Sequence, residues 1–206
     1  VFFNEPQREN FNTEYETLIE TILVRINARG IFEKVPIPQK TVENILRKLE
    51  NYLDPSLAIH LIEKDNQIRE IASLTARGIE YAYNDPNFRK EMSGWINNSL
   101  SLRKQGIPGY ALRIPLFFSF ILPTLIRISN IGKKLAELNF VSVDSVPLIS
   151  VISAAKEDRI SWFKIGRLAE RLMLEFNSIG LNTSIFVASI EMGLQKQLQE
   201  IVGSKF

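Results

Sequence analysis

The chain has 206 residues, of which 45% are hydrophobic and 23% charged, and its formal net charge is +2. These values are typical of a globular domain and exclude an intrinsically disordered chain. The net charge is too small to indicate a basic surface for nucleic acid, so we expect no nucleic-acid partner. Cysteine is absent, which excludes disulfides, thiolate nucleophiles and cysteine-based metal sites, and we predict no metal site.

The chain begins with a polar stretch and then an amphipathic segment. Residues 1–12 are polar and contain Pro6, so we predict an extended arm, followed by a single domain over residues 13–206. Within residues 18–32, Ile19, Ile22, Leu23 and Ile26 recur at steps of three and four. This spacing predicts a helix that buries that face.

A cluster of polar and basic residues follows this helix. Arg25, Asn27 and Arg29 alternate along the chain just before Gly30. Two guanidinium groups and a side-chain amide suit a doubly charged phosphate, because arginine offers a planar fork of donors. The alternative is that basic residues in a last helical turn only complement the helix dipole and its free carbonyls.

The next elements are set by prolines and hydrophobic spacing. VPIPQ at 35–39 stops the first helix, and we predict a second helix from Thr41, as its N-cap, to about residue 53. A short strand is predicted at 57–62. It contains His60, the chain's one histidine, and a strand position is favoured for it over a catalytic one. Helices follow at 67–83 and 86–96, the second capped by Asp85 with Pro86 at its first position.

Residues 110–128 form an unusual apolar segment. Its core at 114–126 is nearly all apolar but contains Pro115 and Pro123, and it is too short to span a bilayer as a helix. We expect a helical segment that acts as a buried hairpin, a lid or a subunit contact. Contact with a membrane surface is the less favoured alternative.

The last third predicts one strand and the most regular helix of the chain. VPLISVISA at 146–154 indicates a buried central strand. The helix at 158–179 should bury one stripe and end at Gly180. Residues 184–188 indicate a strand or loop, and 191–202 a final helix. Few strands and many helices predict an α+β fold, a small central sheet packed by several helices and incomplete at one or both ends.

Several segments, in this order, resemble the nitroreductase family of FMN-binding flavoproteins, most closely its two-halved, Acg-like branch. The R-H-T-N-R phosphate segment of that branch, with a following P-x-P, resembles residues 25–39. Its DP-x-x-R-x-E-x-x-x-W helix resembles residues 85–95, and its D-G-[IV]-P element resembles residues 106–108. Its strand, D-x-x-x-W-x-x-x-G helix and G-L-x-x-S turn resemble residues 146–184. The matching residues in that last segment are Asp158, Trp162, Gly166, Glu170, Gly180, Leu181 and Ser184.

The resemblance implies an oxidoreductase that uses FMN to pass electrons from NAD(P)H to a nitro, quinone or similar acceptor. It implies that Arg25 and Arg29 bind the FMN phosphate, with Asn27 in place of the usual serine or threonine. The turn at 184–190, including Ser184 and Ser189, resembles the segment whose backbone approaches the flavin ring. We further expect the chain to bind FMN and a small-molecule acceptor, to form a homodimer and to be cytoplasmic.

The chain departs from the family at two places. The N-x-Q-P-W signature, which contacts the flavin from the opposing half or subunit, and the closing Arg-x-Gly strand are absent from these residues. The chain therefore resembles the C-terminal half of a two-halved member, which would pair with a missing half. The alternative is a catalytically degenerate module of the same fold that holds flavin or binds another protein.

Overall fold

The computed structural model describes residues 13–28, 30–112 and 114–204. The predicted arm at 1–12 and Arg29 lie outside the described residues. Within the described residues, the chain forms nine α-helices and four short strands. The helices are α1 (Thr13–Val24), α2 (Gln39–Leu49), α3 (Asp65–Asn84), α4 (Pro86–Trp95), α5 (Leu116–Ile128), α6 (Gly132–Asp144), α7 (Arg159–Ser178), α8 (Ala188–Glu191) and α9 (Gln195–Val202). The strands are β1 (Leu57–Ile62), β2 (Ile96–Asn97), β3 (Ile107–Pro108) and β4 (Ile149–Ala154).

The chain is α+β, as its sequence predicts, but the sheets are smaller than expected. β1 pairs with β4, and β2 pairs with β3 in parallel. The six residues of β4 are all half-buried, which differs from the buried central strand that the sequence predicts. Since β4 has one described neighbour, β1, it does not lie between two strands.

The chain divides into two compact units. Unit 1 comprises residues 37–58 and 152–185 together with the described part of 1–28. Unit 2 comprises the described residues of 29–36, 59–151 and 186–206. Each unit is made of three separate stretches of sequence, and two of the boundaries fall inside β1 and β4.

Unit 1 is built around α7, on which α1 and α2 pack. Leu168, Leu172, Met173 and Phe176 of α7 are buried, as its periodicity predicts. Gly180 follows the helix with φ of 83°, and this left-handed conformation is the reason glycine suits the position.

The buried face of α1 differs from the prediction. Leu23 is 85% exposed, and Ile19, Ile22 and Ile26 are exposed as well, whereas Leu18 is only 5% exposed. Thr21, also buried, donates its hydroxyl to the carbonyl of Thr17 at 2.7 Å, so its polar atom is satisfied within the helix. The predicted stripe is therefore wrong, because the face that carries Leu18 and Thr21 is the one that packs in unit 1.

Unit 2 is a helical layer centred on α3. Its larger core joins α3, α6 and α9 through Ile68, Ile71, Leu74, Val143 and Leu198. A second core gathers Tyr83, Ile96 and Ile126, with the partly buried Phe88 and Met92 of α4 against it. The predicted cap of α4 is confirmed, because the backbone N–H of Asn87 donates to Asp85 Oδ1 at 2.8 Å with Pro86 at the first position.

Within its described residues, the apolar segment 110–128 contains one α-helix, α5, with most of its apolar side chains exposed, so it is not the buried hairpin that the sequence favours. Among the described residues, no helix alone has the length and hydropathy of a membrane span; α5 and α6 meet both criteria only as a pair bent by 117°.

Candidate functional site

Two of the predicted phosphate residues, Arg25 and Asn27, lie in unit 1, where α1 ends. The backbone N–H of Arg25 donates to the carbonyl of Thr21 at 2.8 Å, which continues the helical pattern one residue past Val24. The side chain of Arg25 then points to α7, where its Nε lies 3.0 Å from Glu170 Oε1. The guanidinium is thus held by an ion pair, and the Arg25 side chain as a whole is 26% exposed.

The chain next runs beside the segment that follows α7. Asn27 forms an isolated parallel bridge with Thr183, and the backbone N–H of Ala28 donates to the Thr183 carbonyl at 2.8 Å. The N–H of Ile185 donates to Asn27 Oδ1 at 3.1 Å. The Thr183 hydroxyl in turn accepts from Asn177 Nδ2 at 3.0 Å. Two segments separated by about 150 residues of sequence are therefore held together by backbone and side-chain hydrogen bonds.

The structure brings together some of the predicted residues. Arg25, Asn27 and Ser184 belong to unit 1, and Ser184 lies in the chain between the two residues that bond the Asn27 segment. Ser189 belongs to unit 2, where it is buried in the short helix α8. Arg29 lies outside the described residues. Three of the five predicted residues, Arg25, Asn27 and Ser184, therefore lie in the two segments that these hydrogen bonds join.

The donors at this helix end fit a phosphate group. A guanidinium carries five N–H donors, and the ion pair of Arg25 engages Nε, which leaves its two terminal nitrogens as further donor groups. Asn27 accepts through Oδ1, so its amide nitrogen is the donor end of that side chain. Glu170 is the opposing feature, because its carboxylate competes with any anion for Arg25.

The sequence analysis missed a buried ion cluster that joins α2 and α7. Glu175 is 1% exposed and accepts from Arg171 Nε at 2.9 Å and from Lys48 Nζ at 3.1 Å. Arg171 also donates to the Tyr52 hydroxyl at 3.1 Å, and its guanidinium lies 5.0 Å from the Tyr52 ring centre. The spacing of Arg171 and Glu175 by four residues is a signal for a helical ion pair, but it does not indicate burial.

A shallow cavity of about 480 Å³ lies beside this cluster in unit 1. Its walls include Tyr52, Phe163, Arg167, Glu170 and Arg171. Arg167 is exposed and sits over the Tyr52 ring at 5.8 Å. The cavity therefore offers an aromatic face and cationic groups, beside the carboxylate that holds Arg25.

Two carboxylates near the ends of these elements are electrostatically stabilised. Hydrogen bonds from Lys164, 2.6 Å away, and from Ser56 lower the pKa of Asp54 from 3.8 to about 2. The backbone N–H of Ser161, which Asp158 caps at 2.8 Å, lowers the pKa of Asp158. Both groups fix the framework of unit 1. Among the described residues, no group of three or more His, Asp or Glu is arranged to hold a metal ion.

Comparison of the chain with family models, with curated proteins and with solved structures finds no match.

Proposed function

We propose that this chain contributes the phosphate-binding part of an FMN site in an oxidoreductase of nitroreductase type. The single observation that carries the proposal is the hydrogen-bonded meeting of residues 25–28 with residues 183–185. The resemblance in sequence assigns the first segment to the FMN phosphate and the second to the flavin ring. The two segments are far apart in sequence, so their contact is not a consequence of chain proximity.

The chain's own residues would act mainly by binding and orientation. Arg25 and Asn27 would hold the phosphate through charge-assisted hydrogen bonds, a role that the resemblance also implies for Arg29. The Glu170 carboxylate holds the Arg25 side chain toward α7 and would compete with the phosphate for it. Backbone groups near Ser184 would border the ring. When bound, FMN supplies the redox chemistry by taking a hydride from NAD(P)H and giving electrons to a nitro or quinone acceptor.

Titration with two flavins tests the phosphate grip directly. FMN and riboflavin carry the same ring, but only FMN carries the phosphate, so calorimetry of both isolates the contribution of the phosphate. We expect FMN to bind at least about tenfold more tightly, because hydrogen bonds to charged groups contribute about 1.5–3 kcal/mol. Equal affinity for the two flavins, or no binding of either, would overturn the assignment.

Single substitutions then identify the residues that bind the phosphate. Arg25→Ala should remove the preference for FMN over riboflavin, whereas Arg47→Ala is the matched control, because Arg47 is an exposed arginine of α2 that bonds Asn44. Glu170→Gln should raise FMN affinity, since it removes the carboxylate that competes for Arg25. Circular dichroism of each variant checks the fold. Steady NAD(P)H oxidation with a quinone would then separate an enzyme from a flavin-holding module.

A further inference from the structure

We propose that the outward face of α5 is a docking surface for an anionic lipid membrane. We define the α5 face by the exposed apolar residues of this helix. They are Leu116, Phe117, Phe118, Phe120, Ile121, Leu125 and Ile128. Phe117 is 82% exposed and Ile128 is 72% exposed, and the two lie on the same side of the helix with Ile121.

The opposite side of α5 holds the helix on unit 2. Ser119 and Ile126 are buried, and Ile126 packs with Tyr83 and Ile96. The Ser119 hydroxyl donates to the carbonyl of Leu116 at 2.6 Å and accepts from the backbone N–H of Ser99 at 3.0 Å. One narrow side thus anchors the helix, and the broad apolar side faces outward. This arrangement is the inverse of an ordinary surface helix, which turns its polar face to water.

The charge pattern around the α5 face indicates the kind of partner. Residues 92–136 contain six of the chain's 25 lysines and arginines and none of its 23 acidic residues. Arg127 lies in the last turn of α5, and Lys133 and Lys134 open α6; all three are exposed. Arg103 and Lys104 are exposed in the loop that follows Ser99. Exposed cations therefore precede and follow α5 in the sequence, with no carboxylate in that stretch.

An anionic bilayer matches this combination better than a second copy of the chain. A helix of this kind lies in the interface with its apolar side in the acyl region and its lysines and arginines at the headgroups. A symmetric dimer contact would pair the face with itself, and the same cations would then meet across the interface. Lipid headgroups of negative charge instead attract each of them.

Vesicle sedimentation tests the proposal. The full chain is mixed with phosphatidylcholine vesicles that contain or lack phosphatidylserine, and the bound fraction is measured. We expect binding to the anionic vesicles that weakens with salt, and binding at least about tenfold weaker to the neutral ones. No binding to either, or equal binding to both, would overturn the proposal.

Two variants address the apolar and the charged parts separately. Joint substitution of Phe117, Ile121 and Ile128 by Ser should weaken binding by about tenfold or more per residue. Lys133→Glu with Lys134→Glu should weaken it by about fivefold or more per lysine. The apolar control replaces Ile19, Ile22 and Leu23 of α1, which are similarly exposed, by Ser.

The controls decide where binding occurs and what occupies the face. Unchanged binding of the α1 variant supports the proposal, and an equal loss in that variant would overturn the assignment to α5. Light scattering gives the oligomeric state in parallel. The proposal would be overturned if the protein does not bind anionic vesicles and forms a dimer that the α5 variant dissociates. That result would show that a second copy of the chain covers the α5 face. Circular dichroism confirms that each variant is folded, which is expected because the substituted residues are exposed.

Discussion

Replacing Glu175 with Gln tests the buried ion cluster that ties α2 to α7. The carboxylate is 1% exposed, and it accepts from Lys48 at 3.1 Å and from Arg171 at 2.9 and 2.6 Å. Glutamine keeps the shape but removes the negative charge that faces Arg171, whose side chain is only 13% exposed. Removing one partner of a buried ion pair costs about 3–5 kcal/mol. Because the glutamine oxygen still accepts a hydrogen bond, we expect a loss near the lower end, about 3 kcal/mol.

The matched control makes the same chemical change on the same helix. Glu170 also pairs with an arginine, Arg25, but it is 47% exposed, so Glu170→Gln should cost less than about 1 kcal/mol. Urea unfolding followed by circular dichroism measures both free energies. Thermal unfolding should show a drop of about 6–12 °C for Glu175→Gln, at about 2–4 °C per kcal/mol for a chain of this size. Similar small losses in both variants would refute the reasoning that burial makes this carboxylate important.

Three further predictions concern the framework. Gly78→Ala would place a Cβ 2.5 Å from the backbone carbonyl of Ala188 in α8, so it should destabilise the protein by about 1–3 kcal/mol. The control, Gly94→Ala, meets no atom within 4 Å and should stabilise the protein by about 0.5–1 kcal/mol. Urea unfolding measures both changes. The pKa of Asp54 is lowered to about 2 by Lys164, so its stabilisation is present above about pH 4 and lost as the pH falls through 2. Asp54→Asn should therefore flatten that part of the acid-unfolding curve, and an unchanged curve would contradict the ion pair. Asp85→Ala removes the cap of α4 and should cost about 1 kcal/mol in the same urea assay, and a loss near zero would show that the cap contributes nothing.

The elements with strong local signals could be predicted from the sequence. β1 spans the predicted residues 57–62, and α4 starts at Pro86 after the Asp85 cap. Both depend on nearby residues, namely β-branched composition in the first case and a cap followed by proline in the second. The predicted N-cap of α2, Thr41, is wrong: the helix begins at Gln39 with Pro38 as its N-cap, because Pro38 fixes the backbone just ahead of the first turn.

The choice of buried face could not be predicted in the same way. In α1, spacing favours Ile19, Ile22 and Ile26, but packing in unit 1 selects Leu18 and Thr21 instead. The periodicity of one helix cannot indicate what it packs against. The Arg25 ion pair could not be predicted for the same reason, because its partner Glu170 lies on α7, 145 positions later in the chain.

The bridge between Asn27 and Thr183 has a consequence for synthesis on the ribosome. Its two halves are separated by 156 positions, and at about 5–20 residues per second the second half emerges roughly 8–30 s after the first. Leu18 and Thr21, which the folded chain buries, and Arg25 must wait through that interval, because α7 and its Glu170 have not yet been made. A nascent chain stalled before residue 159 would therefore be the natural client for a chaperone that binds apolar helices.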